Sequence, residues 1–364
     1  MKSSTKTRDF FIRLGLVIAS VLFSFLIIEI VLRVGFKDKI VLFPRYHTDA
    51  HYGEFTIRKI RPNSIFWHTS IDGSWKFTTN KQGFRNYKDF DYTKPEGVTR
   101  IVSLGDSHTQ GYEVRQEYTY SAIIEKYLTQ KGYQVEVINT GVSGFGTAEE
   151  LVLLENEMVR YQPDFVILGF YKNDFEDNIR SDLFELDTQN NLVIKNKEYI
   201  PGVKIQNLMY ALPFTKWLGE NSYAYSFIFN WVWDFYKSIS INNAKEIATE
   251  YAIPMQSDIF GYQELYTSKI IERMYQFCHD HHMKLIIADI PLAKKGKQYD
   301  SSFFPSFLPI IEKSSDASIK SDDVVAEYVG IVDIHLDNGH RHISEFTHIL
   351  LGVEIAKKIE ALFF

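Results

Sequence analysis

From Arg100 onward the hydrophobic pattern alternates between short apolar runs and longer stretches of helical period, and this rhythm constrains the fold more than anything else in the chain. Arg100–Leu104, Val135–Asn139 and Phe165–Phe170 read as strands, with Tyr120–Gln130 and Thr147–Tyr161 as helices between or after them. The pattern resumes with a helix over Glu264–His282, strands over Lys284–Ile290 and Gly330–Ile334, and a last helix over Ser344–Leu362. Alternation of this kind implies a parallel sheet covered on both faces by helices, because a parallel connection must cross over the sheet. The expected class is α/β, with a flavodoxin-like sheet. A sheet of that kind presents its ligands at the carboxyl ends of its strands.

The rest of the chain divides around this region. Residues 1–35 read as a short basic tail and a transmembrane anchor: Lys2, Lys6 and Arg8 precede a stretch, Leu14 to Ile28, without a charge. Counting from Phe10 to Leu32 reaches the roughly 20 residues that span a bilayer. A cleaved signal peptide is the rival reading, but no Ala-x-Ala-like site follows Ile28, so an uncleaved anchor is expected. The short tail and large following domain favour a cytoplasmic tail and an extracytoplasmic bulk, periplasmic or at the cell surface. Residues 36–99 read as a β-rich lead-in, broken at Pro62-Asn63, Asp72-Gly73 and Gln82-Gly83. Residues 100–364 form the main domain, interrupted by an insert at about 179–263.

Within the insert, Leu183–Ile194 looks like a hairpin around Thr188–Asn191. Tyr223, Tyr225, Phe227, Phe229, Trp231, Trp233 and Phe235 occupy alternate positions, which is nominally a strand signal. The residues between them are too apolar for a solvent face, so a helix packed on several sides is equally consistent. Its role is open between a packing element and an aromatic lid that contacts sugar, acyl groups or the nearby membrane surface.

Chemistry enters at Gly105-Asp106-Ser107, where the first strand of the alternating region stops in a tight turn that exposes the serine oxygen. Three polar clusters follow: Asn139 to Gly144, Gly169 to Asp174, and the histidine-rich stretch from Asp337 to His348. Serine, glycine, asparagine and histidine in this order resemble the four blocks of the SGNH (GDSL-type) hydrolase family, over roughly Arg100–Ala361. The resemblance implies a serine esterase working through an acyl-enzyme on O-acyl esters, with carbohydrate of the cell envelope or lipid as the carrier. Ser107 is then the nucleophile, and the backbone N–H groups of Ser107 and Gly144 with the Asn173 amide form the oxyanion hole. Gly144, rather than Gly141, matches the second block. For the base, Asp337-Asn338-Gly339-His340 is the literal match to the family's Asp-x-x-His, whereas His342 is better placed before the last helix. His342 is preferred, with Asp337 completing a triad or, failing that, a Ser–His dyad. His348, one helical step from Gly352, reads as a structural histidine.

Several classes are disfavoured. A net charge of −6 without a basic–aromatic patch gives no nucleic-acid footprint. The one cysteine, Cys278, rules out an internal disulfide framework and a multi-cysteine zinc site, and reads as a core thiol. A metal hydrolase could use Asp106, Asp174 and the histidines, but no helix-borne His-x-x-x-His pair lies near these blocks other than the cluster at the end. No Gly-rich Lys-Ser/Thr phosphate loop occurs either, so no metal and no cofactor are expected. The membrane, through the N-terminal helix, and an acyl ester are the expected partners. An O-acyltransferase and a non-catalytic carbohydrate-binding protein on the same scaffold remain the alternatives.

Overall fold

The computed structural model describes residues 2–44, 46–232, 235, 259–294, 297–337 and 342–363. The chain opens with α1 (Lys2–Gly35), whose stretch Arg8–Gly35 has a mean hydropathy of 2.7 and no part of its apolar window buried. Two antiparallel hairpins follow: β1 (His47–Tyr52) with β2 (Phe55–Ile60), and β3 (Ile65–Ser70) with β4 (Gly73–Thr78).

The main domain is built on β5 (Thr99–Gly105), β6 (Val135–Asn139) and β7 (Phe165–Phe170). Beyond the insert come β11 (Lys284–Asp289) and β14 (Ala317–Ile319). These five strands are parallel, in the order β14-β11-β7-β5-β6. Numbered within the sheet, that order is 2-1-3-4-5, the flavodoxin-like arrangement. Residues alternate between its faces as a pleated strand requires. Ile101, Val137, Phe165, Ile167 and Ile286 pack on α3 (Tyr120–Gln130) and the C-terminal α12 (Glu345–Phe363). Val102, Leu104, Ile138, Val166 and Leu168 face the opposite layer. That layer holds α4 (Thr147–Asn156), α5 (Asp174–Ser181) and α9 (Ile259–Asp280).

The last strand differs from expectation. The apolar stretch Gly330–Ile334 is not a strand: it follows a 3-10 turn at Ala326–Tyr328, and Ile331 is exposed. The edge is taken instead by Ala317–Ile319, three residues that pair with β11.

The insert contains β8 (Phe184–Leu186) and β9 (Leu192–Ile194), a hairpin closed by a turn at Asp187–Asn191, and β10 (Glu198–Tyr199), which adds in parallel to β2. Then come α6 (Val203–Ala211), α7 (Thr215–Asn221) and α8 (residues 223–232). The alternating aromatics are therefore helical where described. Trp233 lies outside the described residues. Of the lesser elements, β12 (Leu292–Ala293) pairs with β13 (Tyr299–Asp300), and α10 (Leu308–Lys313) and α11 (Ser321–Val325) flank β14.

Candidate active site

Strand order changes direction between β5 and β7, and that switch point is where an open α/β sheet forms a crevice beyond its carboxyl ends. Ser107 follows β5 and Asn173 follows β7, so the two stand on either side of it. Gly105 makes the turn after β5 with φ +151°, and a Cβ there would lie 1.8 Å from the Thr109 hydroxyl. Only glycine fits that position without a shift of Thr109. Asp106 then caps the single-turn helix α2 (Ser107–Gln110), its carboxylate accepting from the His108 N–H at 2.8 Å. This leaves the Ser107 hydroxyl at the helix start, facing the crevice.

The Ser107 Oγ is 2.8 Å from His342 Nε2. His342 is 7% exposed, and its ring lies against those of Tyr112 and His108, each with centroids 4.8 Å away. His108 is fully buried and held well below the usual histidine range by desolvation, which keeps it neutral. Its Nδ1 accepts from the Ile343 N–H at 3.5 Å, tying the histidine segment to the serine turn.

Asp337 does not occupy the place expected of it. A bridge pairs His335 with Ile343, and Leu336 N–H donates to the His342 carbonyl at 2.9 Å. Asp337 itself is exposed, and its charge acts on Lys297. The carboxylate facing the imidazole belongs to Glu113, with Oε2 3.6 Å from His342 Nδ1 and Oε1 3.4 Å from His68 Nε2. Glu113 is fully buried and adopts φ +60° in the loop that leaves α2. Sequence reasoning missed it, although it is the only acidic residue between Ser107 and Gln116. His340 lies outside the described residues. His348 is buried inside the last helix, where its Nδ1 accepts from the Tyr120 N–H at 3.1 Å; burial pushes it down to about 3.

Gly144 follows β6 and adopts φ +75°. Its carbonyl accepts from Arg58 of β2, whose guanidinium also lies 3.9 Å from Glu149. Gly141 packs still more tightly: a Cβ there would lie 2.2 Å from the Gln110 backbone nitrogen. The Gln110 side chain staples the two loops, accepting from the Ser143 N–H at 2.6 Å. The Asn173 amide donates to Asp177 at 2.9 Å.

Behind these loops lies a buried acidic group. Desolvation pushes Asp106 up to about 7 and Glu149 up to about 8, with Arg58 partly offsetting the latter. Glu150 and Asp174 are raised well above the usual carboxylate range by burial and mutual repulsion. Desolvated carboxyls without full pairing hold their protons. No group of three or more His, Cys, Asp or Glu side chains arranged to hold a metal ion occurs among the described residues. A cleft of about 550 Å³ reaches Glu113, lined among others by Asp72, Trp75, Arg115, Glu345 and Phe346.

Three residues of the lead-in brace these loops. Arg58 holds Gly144, and His68 faces Glu113. Arg85 is fully buried and donates to the carbonyls of Gln110, Gly111 and Val114.

A parallel α/β sheet with a buried histidine hydrogen-bonded to a serine at its switch point has the makings of a serine hydrolase. Residues 101–208 match the family model described as GDSL-like lipase/acylhydrolase. A curated arylesterase from Vibrio mimicus is 31% identical over 75 residues, which are 21% of this chain and 38% of that protein. The chain thus spans well under half the length of that relative.

Among solved structures, a lipase/acylhydrolase from Enterococcus faecalis is 15% identical, with a TM-score of 0.39, covering 72% of this chain and 96% of its own. A catalytic mutant of an acetylxylan esterase from Geobacillus stearothermophilus is 12% identical, with a TM-score of 0.41, covering 72% and 94%.

Proposed function

We propose that the protein is a membrane-anchored serine esterase whose catalytic domain lies outside the cytoplasm and which cleaves O-acyl esters carried on envelope carbohydrate or lipid. The observation that carries the reading is the 2.8 Å contact between Ser107 Oγ and His342 Nε2. In the proposed cycle, His342 accepts the Ser107 proton as Oγ attacks the ester carbonyl. The developing oxyanion is met by the backbone N–H groups of Ser107 and Gly144 and by the Asn173 amide. His342 then protonates the leaving alcohol. Water, deprotonated by the same imidazole, releases the acid and restores Ser107. Glu113, rather than Asp337, holds the Nδ1 side of the ring and balances the imidazolium charge.

The anchor is supported by the hydropathy of α1 and by its contacts with the folded domain. Glu29 accepts from Ser222 Oγ at 2.9 Å and from the Ala224 N–H at 2.8 Å. A helix that caps another element of the mature fold is poorly suited to removal as a signal peptide.

Hydrolysis of a short-chain aryl ester by purified full-length protein tests the chemistry. Ser107→Ala is expected to lower the rate by orders of magnitude with the fold intact. An unchanged rate would refute the enzyme reading. Addition of an acceptor sugar separates hydrolysis from acyl transfer.

A further inference from the structure

The apolar surface of the insert is unusual for a face exposed to water. Leu208 of α6, Phe214 before α7, Trp217 of α7, Phe227 and Trp231 of α8, and Phe235 are each between 48% and 77% exposed. On α8 the sides differ: Ala224 and Ser226 are buried against the domain, while Phe227 and Trp231 lie one helical turn apart on the outside, and Trp231 stacks with Phe235 at 6.4 Å. Large contiguous apolar patches mark surfaces that meet something apolar.

The contacts of α1 identify what this face meets. Glu29 caps the start of α8, and the Arg33 guanidinium donates to the Asn221 carbonyl at 2.6 Å and lies 4.9 Å from the Tyr223 ring. The junction of α7 and α8 is therefore fixed to the last two turns of the apolar helix, within about 9 Å of its end at Gly35 at 1.5 Å per residue. That is the depth at which a spanning helix leaves the hydrocarbon, and where Trp and basic residues concentrate. Lys37, Lys39 and Lys216 lie close in sequence to these groups and suit the phosphates of the headgroup layer.

We propose that α6, α7 and α8 form an interfacial platform, set into the leaflet from which α1 emerges, which holds the catalytic domain against the bilayer at a fixed attitude. The occupant of the apolar face is lipid. The inference rests on the reading of α1 as a membrane span. An amphipathic helix of this kind lies in the plane of the interface, with its apolar side about 5–10 Å into the headgroup–acyl boundary.

Because Cys278 is the only cysteine and is buried, single engineered cysteines can be labelled selectively in the full-length chain. Trp217→Cys, Trp231→Cys, Val21→Cys and Tyr87→Cys, each carrying a nitroxide, are placed in vesicles of phosphatidylcholine and phosphatidylglycerol. Collision with oxygen is compared with collision with a water-soluble nickel complex. Oxygen is expected to dominate at positions 217 and 231, less strongly than at 21, with the ratio reversed at the exposed position 87. If position 21 reads hydrocarbon while 217 or 231 reads water, the platform is overturned and the anchor stands. If position 21 also reads water, the anchor itself fails and the platform with it.

Discussion

Replacing Glu113 by Gln removes one charge from the site with almost no change of shape. The Gln side chain still faces His342 Nδ1 and the ring keeps its packing on His108 and Tyr112, so the main loss is the balancing of the imidazolium. At the observed 3.6 Å, a carboxylate–imidazolium pair is worth about 4–5 kcal/mol at an effective dielectric of ~20. Glu113 also faces His68, and the amide dipole of Gln recovers part of the interaction, so roughly half of this is expected in the transition state. A deficit of about 2–3 kcal/mol corresponds to a ~30- to ~150-fold fall in kcat/KM. Glu113→Ala, which also frees the ring to rotate, should cost more. Aryl-ester hydrolysis followed from pH 5 to 9 carries a second signature. Without its counter-charge the imidazolium is less stable, so the acid limb of the profile should move to lower pH in Glu113→Gln. Melting curves beside those of the native protein exclude unfolding. A Glu113→Gln enzyme within threefold of native activity, together with an inactive Asp337→Asn, would refute the reasoning and return the orienting role to Asp337.

The remaining predictions concern the frame. Gly141→Ala should fail to accumulate as folded protein or lose about 3 kcal/mol or more in denaturant melts, since the new methyl meets backbone rather than a mobile side chain. Arg85→Met should destabilise by a similar amount and depress activity, because it strips buried donors from the carbonyls of Gln110, Gly111 and Val114; Arg85→Lys should rescue little of either. Asp106 is raised to about 7 in the folded chain against 3.8 as its ordinary value, so between these limits the folded state keeps a proton that the unfolded chain releases. Stability then falls as pH rises through that window, by up to roughly 1.4 kcal/mol per pH unit from this group, and levels off above it. Asp106→Asn keeps the capping oxygen and should flatten that part of the slope in melts from pH 4 to 8; an identical slope in both proteins would exclude Asp106 as its source.

Much of the fold was legible because the central strands are buried on both faces and read as unbroken apolar runs. β5, β7 and β11 are of this kind, and each was read close to where it lies. β14 escaped notice because three residues after Ser314-Ser315-Asp316 carry no periodicity, while the more apolar Gly330–Ile334 is a loop that exposes Ile331. The aromatic repeat of the insert was ambiguous for a related reason. A residue at every second position also places pairs at i and i+4, and Phe227 with Trp231 and Phe235 uses that second spacing.

At the site, the serine, glycine and asparagine loops were visible because turns demand particular residues. The carboxylate that faces His342 was not. Spacing placed an aspartate near the histidine in sequence, but Asp337 is exposed, whereas Glu113 is buried facing the imidazole. A glutamate with left-handed backbone, buried between two imidazoles from distant segments, leaves no local pattern.

The open edge of the parallel sheet bears on how the protein can be handled. The side-chain amide of Asn86 covers part of the β6 edge, its Oδ1 accepting from the Asn139 N–H at 2.9 Å and its Nδ2 donating to the Val137 carbonyl at 2.9 Å, while the Arg85 backbone N–H donates to the Asn139 carbonyl at 3.1 Å. The lead-in therefore acts as a stopper on a surface that would otherwise recruit foreign strands. Cutting the chain just ahead of Arg100, the boundary that the family resemblance suggests for a soluble fragment, would uncork that edge. The fragment would self-associate through β6, whereas a cut between α1 and the first hairpin would leave the stopper in place.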